Sequence, residues 1–342
     1  MKVGYVIPMS VAAVNGGVRT QATFTVQHVK EFGVDPVLLS PWNDLQEHEL
    51  EMVHVFGASV ENSEIIPKLQ DLQIPVALSP VFYSNHPASR IRKIIGIEKF
   101  LSRFGSGIRS DFGIKSKLCR QADLLLPNTS DEANLIMHGF GVPEAKIEVV
   151  PNGVEQRFSK ATKDAFVKEY GIKDFVLFTG QAGAPRKNVM QLLKVAPKLD
   201  VPVVVIGDFG NNKYSKECLS MAKETSNITL VPTLPHDSEL LASAYAASSV
   251  FVLPSFYETP GIAALEAALA GSNIVMTKHG GTKDYFGDHA EYIDPDSTTS
   301  LLKAIQRSLK KPKTDLKEVI LDKFTWEKVA QKTVTHYQRL LN

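Results

Sequence analysis

Short apolar runs alternate along this chain with helix-length polar stretches. Lys2–Pro8 reads as a buried strand, and further runs follow at Pro36–Leu39, Met52–Phe56, Val76–Val81, Leu124–Pro127 and Ile147–Val150. After Pro151–Val154 the pattern restarts at Phe175–Gly180. It continues through Val203–Gly207, Ile228–Val231, Val250–Leu253, Ile274–Met276 and Tyr292–Ile293. Brief, continuously apolar runs are strands buried on both faces, and their alternation with helices predicts parallel sheets covered on both sides. Two such series in 342 residues predict two doubly wound units, a linker near Pro151–Lys173 and a ligand cleft between the units. The expected boundaries are 1–160, with a basic insert over about 86–120, then 161–322, then a closing helix over 323–342. In that helix Trp326, Val329, Val334, Tyr337 and Leu341 share one side, with Thr325 as the N-cap.

One stretch departs from a purely structural pattern. Pro254–Thr277 reads as a loop, a helix over 261–270 and a strand, with Pro260 ahead of the helix and Gly271 as its stop. Ile262, Leu265 and Leu269 form an apolar stripe, and Glu266 falls on it, where a carboxylate is costly unless paired. Helical side chains tilt toward the N-terminus, so Glu266 is expected to point back at the loop carrying Glu258. That loop meets the first N–H groups of the helix, at Gly261, Ile262 and Ala263, where an anion is favoured. Spacing alone leaves two readings: Glu266 partners a buried arginine, or two carboxylates grip a ligand with both hydroxyls and negative charge.

Other turns carry candidate chemistry. Gly16 and Gly17, between the first strand and first helix, permit close backbone approach to a ligand but lack the full dinucleotide fingerprint. The loop from Gly180 and Gln181 to Asn188 holds Arg186 and Lys187, which are either a solvated pair or a phosphate clamp. Asn128–Glu132 has the residue types of a helix cap, for a helix over about 132–138.

Glu258 and Glu266, the seven residues between them and the strand that follows resemble the Glu-x7-Glu signature of retaining glycosyltransferases of family four, the glycosyl transferases group 1. The resemblance covers nearly the whole chain, most strongly 180–295 and most weakly 80–117. It implies an α/β chain of GT-B architecture, two Rossmann-like domains facing a cleft, with the last helix crossing back to the first. It implies an enzyme that moves a sugar from a nucleotide diphosphate sugar (UDP or GDP) to a hydroxyl, with anomeric retention. The acceptor would be a glycan, a lipid-linked molecule or a protein, in bacterial surface glycan, glycolipid or glycoprotein assembly. On this resemblance Glu258 holds sugar hydroxyls, Pro260, Gly261, Ile262 and Ala263 bind the diphosphate, Glu266 holds the ribose, and Lys187 neutralises the leaving group. Gly16 and Gly17 line the diphosphate, Gly207 approaches the nucleotide, and Val231 to Leu234 border the base. Gly180 matches the family, but Gln181 stands where the family has arginine, and Arg186 is the candidate replacement. No metal and no cofactor beyond the donor substrate is expected. A histidine that many relatives carry after the fourth strand has no direct match: His86 comes several residues late, with Ser79 and Tyr83 as alternatives.

Composition narrows the partners. A net charge of +1 gives no global case for nucleic acid, and 44% hydrophobic with 22% charged residues describes well-filled cores. Cys119 and Cys218 lie far apart, which suits a reducing compartment, and the opening residues lack a long apolar region, so a cytoplasmic location is expected. Arg90 to Arg120 is locally basic, with Ile91, Ile94, Ile95, Phe100, Leu101 and Phe104 interleaved. It is either a solvated helical face or a surface that docks peripherally on the inner membrane. Two rival functions remain: a nucleotide-sugar-binding subunit without turnover, and a nucleotide-sugar epimerase of similar fold.

Overall fold

The computed structural model describes residues 1–13, 16–42, 44–105, 109–312 and 316–342. The chain divides into two compact units, Met1–Gly153 with Trp326–Asn342, and Val154–Thr325. The crossings therefore fall at 153/154 and 325/326 rather than at the expected 160/161 and 322/323. The two passing segments are pinned there: Val154 N donates to Phe324 O at 2.8 Å, and a Cβ on Gly153 would lie 2.5 Å from the Trp326 indole.

The first unit runs β1 (Lys2–Val6), α1 (Gly17–Val29), β2 (Asp35–Leu38), β3 (Met52–Phe56), α2 (Ile65–Asp71), β4 (Val76–Ser79), α3 (Ala88–Ser102), α4 (Asp111–Gln121), β5 (Leu124–Leu125) and α5 (Ser130–Asn134). Its sheet has the order β2-β1-β3-β4-β5, every pair parallel. The second unit runs α6 (Asp164–Tyr170), β6 (Phe175–Thr179), α7 (Val189–Val195), β7 (Val203–Ile206), α8 (Lys213–Lys223), β8 (Ile228–Val231), α9 (Glu239–Ala247), β9 (Ser248–Leu253), α10 (Ile262–Leu269), β10 (Asn273–Thr277), α11 (Lys283–Phe286), β11 (Glu291–Ile293), α12 (Thr298–Lys310) and α13 (Leu316–Lys323). Its sheet has the order β11-β10-β9-β6-β7-β8, again all parallel. Every residue of β3, β4, β6, β7 and β10 is buried, which is why these strands lack the polar alternation of half-exposed ones.

The chain returns to the first unit as α14 (Trp326–Leu341), which lies against α1. Trp326 stacks on Phe24 with ring centroids 5.2 Å apart, and Val329, Val334 and Tyr337 join the core of Val3, Tyr5 and Phe56. His54, buried in β3, ties the arrangement together. Its Nδ1 lies 2.5 Å from Tyr337 Oη and its Nε2 2.9 Å from Ser79 Oγ. Burial pushes the His54 pKa down to about 3, so the ring is neutral.

Two element expectations change. Ile147–Val150 is not a strand but a single bridge to Leu125, because its neighbour is the two-residue strand β5; Glu148 N and Val150 N still donate to Leu125 O and Pro127 O, both at 2.9 Å. The helix expected over 132–138 begins at Ser130 and continues as a π-helix over Leu135–Phe140. Thr129 caps it, its Oγ1 accepting from Glu132 N at 3.1 Å.

Candidate functional site

The second sheet reverses its strand order between β6 and β9, its two central strands. Loops leaving the carboxyl ends of such strands diverge, and open parallel sheets bind ligands there. The loop after β6 brings Arg186 and Lys187, in a tight turn over Pro185–Lys187, and the loop after β9 brings Ser255, Tyr257 and Glu258. The two loops are fastened together. Asn188 donates from Nδ2 to Pro254 O at 3.0 Å and Pro295 O at 2.9 Å, and Phe256 N donates to Arg186 O at 3.0 Å. Glu258 N donates to His279 O at 3.1 Å, and a Cβ on Gly280 would lie 2.1 Å from Glu258 O, so only glycine fits there.

Glu258 is 5% exposed. Its carboxylate accepts from Lys187 Nζ at 2.7 Å and Ser255 Oγ at 2.5 Å, with Arg186 Nη1 at 3.7 Å. Arg186 also donates to Tyr257 O at 2.9 Å and lies over the Tyr257 ring, 5.0 Å from its centroid. Burial pushes the Glu258 carboxyl up, but Lys187, Arg186 and the Ser255 hydroxyl outweigh it and hold the pKa below the ordinary value. Two cations face one carboxylate, so the cluster keeps one positive charge in excess.

Glu266 lies one turn into α10, 4% exposed, and faces other partners. It accepts from His236 Nε2 at 2.8 Å and from Tyr245 Oη at 2.8 Å. Since the Tyr245 proton goes to Glu266, the 2.9 Å contact of Tyr245 with Thr179 Oγ1 has Thr179 as donor. His236 Nδ1 lies 3.5 Å from Glu155 Oε2, and Arg157 donates to His236 O. The hydrogen bond His236 donates to Glu266 raises the His236 pKa against burial, and the Glu266 and Glu155 charges add to it. Glu258 and Glu266 share none of these partners. The partners of Glu266 are a histidine and a tyrosine rather than the arginine weighed from the sequence. These bonds take two of its four acceptor positions.

The remaining candidates are distributed as follows. Pro260 and Gly261 lead into α10, where the N–H groups of Ile262 and Ala263 precede any intrahelical acceptor. Gly180 and Gly207 end β6 and β7 back to back. A Cβ on Gly207 would lie 1.9 Å from Gly180 O, and Gly207 N donates to Val231 O at 3.0 Å. Gln181 is exposed, Leu234 packs on the core, and Gly16 caps α1 with Gly17 as its first residue. A Cβ on Gly16 or Gly17 would meet nothing within 4 Å, and Asn15 beside them lies outside the described residues. In the first unit Ser79 is 2% exposed and engaged by His54, so it is not open to a sugar. His86 packs edge-on to Phe112 at 6.1 Å. Among the described residues no group of three or more His, Cys, Asp or Glu could hold a metal ion. Ser255, His236, Tyr245 and Thr179 were not foreseen. Ser255 alone carried a local signal, as a hydroxyl three residues before Glu258.

The two doubly wound parallel sheets have the GT-B fold of the solved structures that superpose on this chain. Residues 159–319 match the family model described as glycosyl transferases group 1. The D-inositol 3-phosphate glycosyltransferase of Pseudarthrobacter chlorophenolicus is 29% identical over 170 residues, 46% of this chain and 40% of that protein. The chain spans about half the length of the curated relatives it matches. Sucrose-phosphate synthase from Thermosynechococcus elongatus superposes with a TM-score of 0.77 at 14% identity, covering 99% of this chain and 98% of that one. Anabaena HepE in complex with UDP and glucose superposes with a TM-score of 0.71 at 14% identity, covering 99% and 100%.

Proposed function

We propose that this chain is a retaining glycosyltransferase that takes its sugar from a nucleotide diphosphate donor. The observation that carries the reading is the Glu258–Lys187–Arg186 cluster at the switch point between β6 and β9. A buried carboxylate suits sugar hydroxyls, and an excess positive charge next to helix N–H groups suits a diphosphate. In the transfer, the bond from the anomeric carbon to the phosphate oxygen breaks and the acceptor oxygen bonds on the same face. The acceptor proton passes to the leaving phosphate oxygen. Charge grows on the diphosphate, and Lys187, Arg186 and the N–H groups of Ile262 and Ala263 are the groups that stabilise it. Glu266 takes the ribose, with His236 and Tyr245 fixing its rotamer. Gly207 and the segment from Val231 to Leu234 border the base. The first unit takes the acceptor, a hydroxyl of a glycan, lipid-linked molecule or protein. HepE carries UDP and glucose in its own structure, which supports a nucleotide-sugar donor here. The reaction needs no metal in this reading.

Screening UDP- and GDP-sugars by thermal shift tests the donor, since a ligand at about a hundred times its Kd raises stability by about 2.7 kcal/mol. NMR of the product's anomeric centre tests retention. A protein that no nucleotide sugar stabilises would end the reading. Gln181 favours one alternative, a donor-binding subunit without turnover, because an exposed amide stands where the family places a cation. Stabilisation by donor with neither hydrolysis nor transfer would identify that case.

A further inference from the structure

Helix α3 presents two different faces. Ile91 and Ile95 point inward and are buried in the first unit's core, where Ile91 packs against Gly139. The opposite face carries Ile97, Phe100 and Leu101, 60%, 56% and 40% exposed, and Phe104, in the turn just past the helix end, is 74% exposed. Their spacing of three, four and seven residues is that of a single helical stripe, and Phe100 and Phe104 meet edge to face at 5.2 Å. Among the described residues ten large hydrophobic side chains are exposed, and four of them fall within this short segment. Single exposed apolar residues are ordinary, whereas a contiguous patch marks an interaction surface.

The surrounding charge says what covers the patch. Arg90, Arg92, Lys93, Lys99 and Arg103 are all exposed around it. Glu98, the one acid of the helix, is turned away, accepting from Ser110 N at 3.0 Å and from Ser110 Oγ at 2.5 Å. We infer that this face of α3 lies flat on an anionic phospholipid surface, with Ile97, Phe100 and Phe104 entering the acyl boundary and the basic side chains at headgroup level. A second copy of the chain fits poorly, because pairing the patch with itself would set five cations against five. No helix among the described residues is long and apolar enough to cross a membrane, so this contact would be peripheral. Ile91 and Ile95, counted from the sequence among the interleaved apolar residues of the insert, take no part, and residues 106–108 lie outside the described residues.

The test is flotation of the full chain with phosphatidylcholine vesicles, with and without phosphatidylglycerol, at low and high salt. The chain should float with the anionic vesicles at low salt and stay behind with the neutral ones. Phe100→Ser with Phe104→Ser should lower the bound fraction by about tenfold or more at every salt concentration. Lys93→Gln, Lys99→Gln and Arg103→Gln should each lower it about fivefold and flatten the salt dependence. All these side chains are exposed, so the variants should keep the parent's unfolding temperature. Absence of flotation with anionic vesicles at low salt would overturn the inference, as would variants that float like the parent. Self-association of the parent, lost in the phenylalanine variant, would assign the patch to a second copy instead. The assay uses no sugar donor, so its outcome is independent of the proposed transfer reaction.

Discussion

Glu258 is held by Lys187, Arg186 and Ser255 in a site with little access to water, so a change there acts on both stability and chemistry. Glu258→Gln removes the carboxylate from between two cations. The expected result is a transfer rate lowered roughly a hundredfold, with structure retained because the amide still accepts from Ser255. The same variant should be stabilised more than the parent by inorganic pyrophosphate, since two unpaired cations remain; comparing melting curves with and without pyrophosphate checks this. Lys187→Ala should weaken donor binding and lower the rate by about 10²–10³. His236 offers a pH test. Its folded pKa is raised by Glu266, so its contribution to stability is complete below the unfolded value near 6.5 and is lost as pH rises through the folded pKa. Unfolding temperature followed from slightly acid to alkaline pH should fall across that window, and Glu266→Gln should flatten the slope. At this scale the sequence is informative where a residue sits in a recognisable turn or motif, not where its partner is near in the chain: Lys187 is 71 residues from Glu258, whereas Tyr245 is 21 from Glu266. Glu258, Lys187 and Arg186 announced themselves, whereas His236 and Tyr245 reach Glu266 from a loop and a helix whose sequences carry no pattern pointing to it.

Among the elements, the turn after β4 depends on one buried acid. Glu132, in the first turn of α5, accepts from Phe82 N at 2.7 Å and from Asn128 N at 2.8 Å. Burial pushes its pKa up to about 7, against the backbone donors that favour the charged form. It fixes a loop in which Val81, a β-branched residue, has φ +51°. Glu132→Ala would orphan two backbone N–H groups and should destabilise the first unit by about 3 kcal/mol, measurable by urea unfolding. Asn128–Glu132 has the residue types of a cap, which Thr129 performs, but nothing local in the sequence marks the cross-chain reach of Glu132 to Phe82. Strands were legible because burial on both faces leaves runs of valine and isoleucine. The misread segment, 147–150, looks like those runs yet has only the two-residue edge strand β5 as a neighbour. Periodicity reports which residues avoid water, not how long a partner strand is available.

For the molecule as a whole, each unit has its own sheet and core, and the first is assembled from two distant stretches of chain. Deleting residues 326–342 removes Trp326, Val329, Val334 and Tyr337 from that core, each worth about 1.5–3 kcal/mol of burial. Their sum is comparable with the whole stability of a domain. The first unit should then lose cooperative unfolding while the second keeps its own transition, which calorimetry would resolve.

The return of α14 also sets an order of events at the ribosome. One face of the first sheet has to wait for its cover while all of Val154–Thr325 is made, roughly 170 residues. At about 5–20 residues per second that delay is on the order of ten to thirty seconds. Through that interval the nascent chain carries an open hydrophobic slab while the inserted domain is still being made, a natural client for a chaperone that binds during translation.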